Sequence, residues 1–166
     1  LEPIALYMSK DLHEAGDGQW LFDFPAQGQS LVPGEGRVYA PEAGDLVIYT
    51  YGNGVPMALR ASRAIEQQLG WQVRVVDLRW LVPLDAGFIT AQAASARRVL
   101  VLDEGRHSGG VGEGVVTALV EAGFGHLPLR RVCGADTYTP LAGAAMFGLP
   151  SDNAVIGAAL DLAQEP

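Results

Sequence analysis

Four short strand-like runs, separated by stretches of helical spacing, constrain this chain more than any other feature of it. The runs are Leu46-Val47-Ile48-Tyr49-Thr50-Tyr51, Val73-Arg74-Val75-Val76-Asp77-Leu78, Val99-Leu100-Val101-Leu102 and Leu129-Arg130-Arg131-Val132. Their β-branched and aromatic residues suit a pleated sheet. After the first run, Gly52-Asn53-Gly54 turns the chain and Pro56 suits a first helical turn. Val55, Leu59, Ser62, Ile65 and Leu69 then recur at helical spacing before Gly70 stops the helix. Pro83-Leu84-Asp85 opens a second helix, read through Ala96, with Asp85 as its N-cap. A third helix is expected over residues 111–122 with Gly123 past its end, and Ser151 caps a closing helix through Ala163. Strands joined by such helices need right-handed crossovers, which gives an α/β fold: a parallel sheet with helices on both faces. Arg37-Val38-Tyr39-Ala40 is a further strand, too close to Leu46 for a crossover, so that pair is expected to be antiparallel.

At 166 residues the chain is one domain plus an extension. Between residues 16 and 36, Gly16, Gly18, Gly28, Gly34, Gly36, Pro25 and Pro33 argue against a continuous helix or strand, so this stretch reads as a linker. Ahead of it, Ile4-Ala5-Leu6-Tyr7 is read as a short strand, and Trp20-Leu21-Phe22 as an arm docked on a neighbouring surface. The opening Leu1-Glu2-Pro3-Ile4 has neither an initiator Met nor a signal-peptide pattern, and is read as a cut inside a longer parent chain.

Charge and cysteine usage remove several functions. Eleven basic against 19 acidic residues give a net charge of -8, which repels phosphate backbones and anionic membranes. The basic residues form no stripe, the adjacent pairs being Arg97-Arg98 and Arg130-Arg131, so nucleic acid is not an expected partner. No apolar run reaches the ~20 residues of a membrane-spanning helix. The single Cys133 excludes an internal disulfide and a cysteine-based zinc site, and makes the cytoplasm the expected compartment.

Gly109-Gly110-Val111-Gly112-Glu113-Gly114 follows a strand and opens a helix, where backbone N–H groups attract anions. The dinucleotide fingerprint fails from either starting glycine, and no Walker lysine follows, so close helix–sheet packing is the stronger reading. His107 and Ser108 lie beside Asp103, Glu104 and Arg106, but a nucleophile elbow requires glycine where Arg106 stands. Asp103, Glu104, Arg106 and His107, beyond a strand's carboxyl end, are therefore expected to face a partner. His13, His107 and His126 have no second ligand at metal spacing. Gly16-Asp17-Gly18 has the start of a thiamine-enzyme motif without its asparagine, and reads as a turn. Asp77-Leu78-Arg79-Trp80-Leu81-Val82-Pro83-Leu84-Asp85 places an aromatic anchor, Trp80, in a charged turn. With Trp20 and Phe22, Trp80 is expected to support self-association.

Taken together these segments resemble the C-terminal domain of transketolase-like enzymes. The carriers are Thr50-Tyr51-Gly52-Asn53-Gly54-Val55, the Val75 to Asp85 stretch, Leu102-Asp103-Glu104-Gly105 with Gly109-Gly110-Val111-Gly112, and Gly134-Ala135-Asp136-Thr137 with Pro140. The branch most similar is the 2-oxo acid dehydrogenase decarboxylase, as a beta subunit or a fused alpha/beta chain. The resemblance implies a three-layer α/β/α domain over residues 37–166, with a five-stranded, mostly parallel sheet whose first strand is antiparallel. Residues 1–36 would then be the arm and linker from a preceding pyrimidine-binding domain. It implies a parent that decarboxylates a 2-oxo acid on thiamine diphosphate and passes the acyl group to lipoyl-lysine. The cofactor and its magnesium would be held in earlier domains, with none in this fragment. The implied role is non-catalytic assembly, with the rest of the parent, a second copy or an alpha subunit, and a lipoyl acyltransferase core as partners. Two alternatives stay open: a free-standing nucleotide or small-molecule module using residues 109–114, and a transketolase or deoxyxylulose phosphate synthase parent.

Overall fold

The computed structural model describes residues 3–30 and 32–165. Nine elements form the domain: β1 (Arg37–Tyr39), β2 (Leu46–Thr50), α1 (Gly54–Leu69), β3 (Val73–Asp77), α2 (Ala86–Ala93), β4 (Val99–Arg106), α3 (Val111–Glu121), β5 (Leu129–Gly134) and α4 (Asp152–Ala163). The strands make one sheet in the order β1-β3-β2-β4-β5. Strands β3, β2, β4 and β5 run parallel, and β1 lies antiparallel at the edge.

The alternation of each strand sends its side chains to two separate cores. Leu46, Ile48, Val73, Val75, Leu100 and Leu102 face α1 and α4, where Ala58, Ala61, Ile65, Val155, Ala159 and Leu162 complete the layer. Val47, Tyr49, Val76, Val99 and Val101 face α2 and α3, against Ile89, Ala93, Val115 and Leu119. All five residues of β2 are buried, as a central strand covered on both faces requires. The Tyr49 hydroxyl, in that core, donates to the Ile89 carbonyl at 2.8 Å. Arg60 ties α1 to the start of α4 by a two-pronged pair with Asp152, at 2.7 and 2.9 Å.

Helix ends follow the capping residues. Gly70 closes α1 in the left-handed conformation, φ 68°. Asp85 accepts from Phe88 N and Ser151 from Ala154 N, which satisfies otherwise orphaned donors of α2 and α4.

Four expectations are corrected. Strand β1 pairs with β3, in the register Arg37↔Asp77, and not with β2. Both edges of β2 are taken by parallel neighbours, so the antiparallel strand goes to the free side of β3. Helix α2 ends at Ala93, before Ala96; the Arg74 guanidinium reaches over from β3 to the Gln92 carbonyl at 3.0 Å, and Ala96 N turns back to Ala93 O. Strand β4 runs on to Arg106 through a register shift between Asp103 and Arg106. Ile4–Leu6 is a 3-10 turn and not a strand, and Glu2 of the same arm lies outside the described residues. Trp20 is half-buried, stacked edge-on to Phe22, over which the Arg37 guanidinium lies 5.3 Å from the ring centre; this docks the arm on β1.

Candidate functional site at the carboxyl edge of the sheet

The connections out of β2 and β4 leave on opposite faces, α1 toward one core and α3 toward the other. Neighbouring parallel strands whose connections diverge leave a crevice at their carboxyl ends, the place where open α/β sheets bind ligands. In this chain the crevice is stitched shut. Tyr51, just past β2, donates its hydroxyl to Asp103 Oδ1 on β4 at 2.5 Å. Asn53 Nδ2 donates to Glu104 Oε2 at 3.0 Å.

Asp103, only 1% exposed, is the centre of this closure. Besides Tyr51 it accepts from Gly105 N at 2.7 Å and, through Oδ2, from Gly112 N at 2.7 Å. A carboxylate of the chain itself therefore sits where the first turn of α3 would draw an external anion. Gly110 and Gly112 have a packing cause. A Cβ on Gly110 would stand 2.7 Å from Arg106 O and from Asp103 Oδ2, and one on Gly112 3.2 Å from Val101 Cγ1. Burial, reinforced by the bond to Asp103, pushes the Tyr51 hydroxyl well above its ordinary pKa. Burial also raises Glu104, against the stabilising Asn53 bond.

Of the residues expected to face a partner, Arg106 and His107 are exposed, whereas Glu104 is half-buried and turned inward to Asn53, and Asp103 is buried, its carboxylate taken by donors of the chain itself. Arg131 on β5 holds His107 with both prongs, Nη1 on the carbonyl at 3.0 Å and Nη2 on Nε2 at 3.0 Å. Ser108 donates its N–H and its hydroxyl to Asp136, at 2.9 and 2.6 Å, and these bonds hold the Asp136 carboxyl below the usual range. The Ser108 hydroxyl is thus committed to Asp136, and no base–nucleophile pair forms with His107.

At the end of β3 the turn is fixed by Asp77, whose carboxylate accepts from Arg79 N at 3.2 Å and Nε at 3.4 Å while Arg79 adopts φ 55°. The strand stops at Asp77, and the two side chains meet within the turn that follows. Burial raises the Asp77 carboxyl, opposed by the Arg79 charge. Trp80, 39% exposed, opens onto a cavity of about 660 Å³ with Tyr51, Asp77, Arg79, Val82 and Val111.

The fit to thiamine diphosphate and magnesium is poor at both positions where the sequence invites it. Asp103 fills the head of α3. Asp17, in Gly16-Asp17-Gly18, is saturated by the N–H groups of Leu12, His13, Glu14 and Gln19, while Asp11 accepts from Gly16 and Gly18. Among the described residues no cluster of three or more His, Cys, Asp or Glu could hold a metal ion. Sequence reasoning did not find the Tyr51–Asp103, Asn53–Glu104 and Ser108–Asp136 bonds. Their one local signal is an aspartate directly after the most apolar run of the chain.

Fold and site together define an α/β/α domain with a self-closed crevice. The chain belongs to the family described as transketolase, C-terminal domain, whose model matches residues 34–153. It is 36% identical over 124 residues to the 3-methyl-2-oxobutanoate dehydrogenase subunit beta of Mycobacterium tuberculosis, covering 74% of this chain and 36% of that one. Over 117 residues it is 36% identical to the pyruvate dehydrogenase E1 component subunit beta of Staphylococcus aureus, covering 69% of this chain and 36% of the other. It thus spans about a third of the length of these curated relatives. Among solved structures, a split-gene transketolase in an inactive beta4 tetramer superposes with a TM-score of 0.70 at 26% identity, over 86% of this chain and 45% of that one. The 2-oxoglutarate:ferredoxin oxidoreductase of Magnetococcus marinus shares the fold, with a TM-score of 0.55 at 17% identity over 78% of this chain and 20% of that one.

Proposed function

We propose that this chain is the non-catalytic C-terminal assembly domain of a thiamine diphosphate-dependent 2-oxo acid dehydrogenase decarboxylase component. The observation that carries the reading is Asp103 in the anion position of α3, tied across the crevice to Tyr51. A nucleotide module would need that position free, which disfavours the free-standing alternative. The two beta-subunit relatives favour the dehydrogenase branch over a transketolase or synthase parent. On this reading residues 1–36 trail from a preceding pyrimidine-binding domain and residues 37–166 form the last domain. The earlier domains hold cofactor and magnesium, decarboxylate the 2-oxo acid and pass its acyl group to a lipoyl carrier. The compartment is the cytoplasm, in keeping with one cysteine in 166 residues.

The domain's own contribution is contact: Trp80 at its cavity, Arg106 at the end of β4 and His107 just past it present exposed groups on a braced backbone. Their partners are the rest of the parent enzyme, a second copy or an alpha subunit, and an acyltransferase core. Arg106→Ala with His107→Ala, placed in the parent enzyme, is the test. Weakened assembly with an unchanged melting temperature supports the contact role. Unchanged assembly and activity removes these residues from it.

A further inference from the structure

The cavity at the end of β3 holds a charged pair that the assembly reading leaves without a role. Its volume, about 660 Å³, lies within the ~300–1,000 Å³ of small-molecule sites. Trp80, Tyr51, Val82 and Val111 give it an apolar wall, and Asp77 and Arg79 a charged one. The Arg79 side chain is only 25% exposed, and Arg79 gives its backbone N–H and Nε to Asp77. Among the described residues its Nη1 and Nη2 meet no acceptor. Asp77, 16% exposed, receives one long bond on each oxygen, at 3.2 and 3.4 Å. A carboxylate offers about four acceptor sites, so Asp77 has room for further donors. Arg37, opposite it on β1, is stacked instead on Tyr39 at 4.6 Å and Phe22 at 5.3 Å. The backbone that presents the pair is strained. Arg79 is the centre of a three-residue turn, closed by Trp80 N donating to Leu78 O at 2.5 Å, and its φ of 55° is one that residues other than glycine avoid. Strain of this kind recurs at ligand clamps.

We propose that this cavity binds a free apolar α-amino acid, with its carboxylate on the Nη fork of Arg79, its ammonium on Asp77 and its side chain against Trp80. The inference goes beyond the assembly reading and does not rest on it. Charge selects a zwitterion. A simple carboxylate or phosphate would meet Arg79 but also the negative Asp77 beside it, and a simple amine would meet the reverse. In an α-amino acid both charged groups hang on one carbon, which suits two side chains whose own charged atoms lie 3.4 Å apart. A peptide, whose termini are separated, lacks that match. The Trp80 ring offers its apolar body to the ligand's side chain, and the volume admits one as large as a phenyl group.

L-Phenylalanine is the probe, titrated into the isotope-labelled chain beside hydrocinnamate, which lacks the ammonium, and phenethylamine, which lacks the carboxylate. The signal is the Trp80 indole N–H in nuclear magnetic resonance, assigned with Trp80→Phe. A saturable shift at millimolar or lower L-phenylalanine is expected, with each analogue at least ~10-fold weaker because it forfeits one charge-assisted contact. Arg79→Gln is expected to weaken L-phenylalanine by a similar factor with unchanged circular dichroism. Should that variant unfold, the three-ligand series on the unaltered chain decides alone. An unmoved Trp80 signal, an analogue that binds as tightly as L-phenylalanine, or full binding by a folded Arg79→Gln chain overturns the proposal.

Discussion

Asp103 shows how one buried carboxylate can decide what a crevice does. Both its oxygens face donors, Tyr51 and Gly105 N on one and Gly112 N on the other. Asp103→Asn therefore has no good orientation, since its amide NH₂ points at a donor either way. Loss of ~2–3 kcal/mol is expected in urea denaturation, because hydrogen bonds to charged groups contribute most and a buried donor left unpaired is costly. Tyr51→Phe removes one donor and leaves two, so a smaller loss of ~1.5 kcal/mol is expected. Glu104 gives a pH signature. Burial raises its folded pKa above the unfolded value, so the native state holds the proton longer and stability falls as pH rises through the interval between them. Glu104→Gln keeps an acceptor for Asn53 and removes that titration. Its stability relative to the unaltered chain should rise as pH climbs through the interval between the unfolded and folded pKa values, and level off above it. A difference independent of pH would show that Glu104 titrates alike in both states.

Among the elements, the glycines heading α3 separate two kinds of constraint. Gly109 has φ 71° with no atom within 4 Å of a Cβ built on it, whereas Gly110 meets Arg106 O and Asp103 Oδ2 at 2.7 Å. Gly109→Ala is expected to lose only the ~1–2 kcal/mol of the left-handed backbone. Gly110→Ala must displace the β4 bulge and the Asp103 carboxylate, so it should exceed that and shift the Tyr51 environment; thermal melts with tyrosine absorbance read both. The elements themselves were largely legible, because β2 and β4 are built on continuous apolar runs, β3 on valines interrupted by Arg74, and Gly70, Asp85 and Ser151 are strong end signals. Long-range partners decided the rest. Nothing local to Arg37-Val38-Tyr39 says that β3 offers the free edge. Arg74 on a buried strand gives no sign that it will hold the Gln92 carbonyl where α2 stops. The run past Leu102 looks like a loop because its strand pairing depends on Gly134.

For the whole molecule, the motifs marked the family and the carboxyl edge, but the closure of the crevice rests on pairs more than fifty residues apart, such as Tyr51 with Asp103. Spacing in one chain carries no information about such pairs. Arg106→Ala with His107→Ala should leave the melting temperature of this chain within a few degrees, since exposed substitutions usually change stability by under ~0.5 kcal/mol. A large loss would make the Arg131–His107 brace part of the fold. The central claim is that this domain serves assembly and leaves the cofactor to other parts of the enzyme. Calorimetric titration of the chain with thiamine diphosphate and magnesium tests it most directly. Heats indistinguishable from dilution are expected for the unaltered chain, and saturable binding at micromolar cofactor would contradict the claim and return Gly16-Asp17-Gly18 or the head of α3 to the status of a cofactor site.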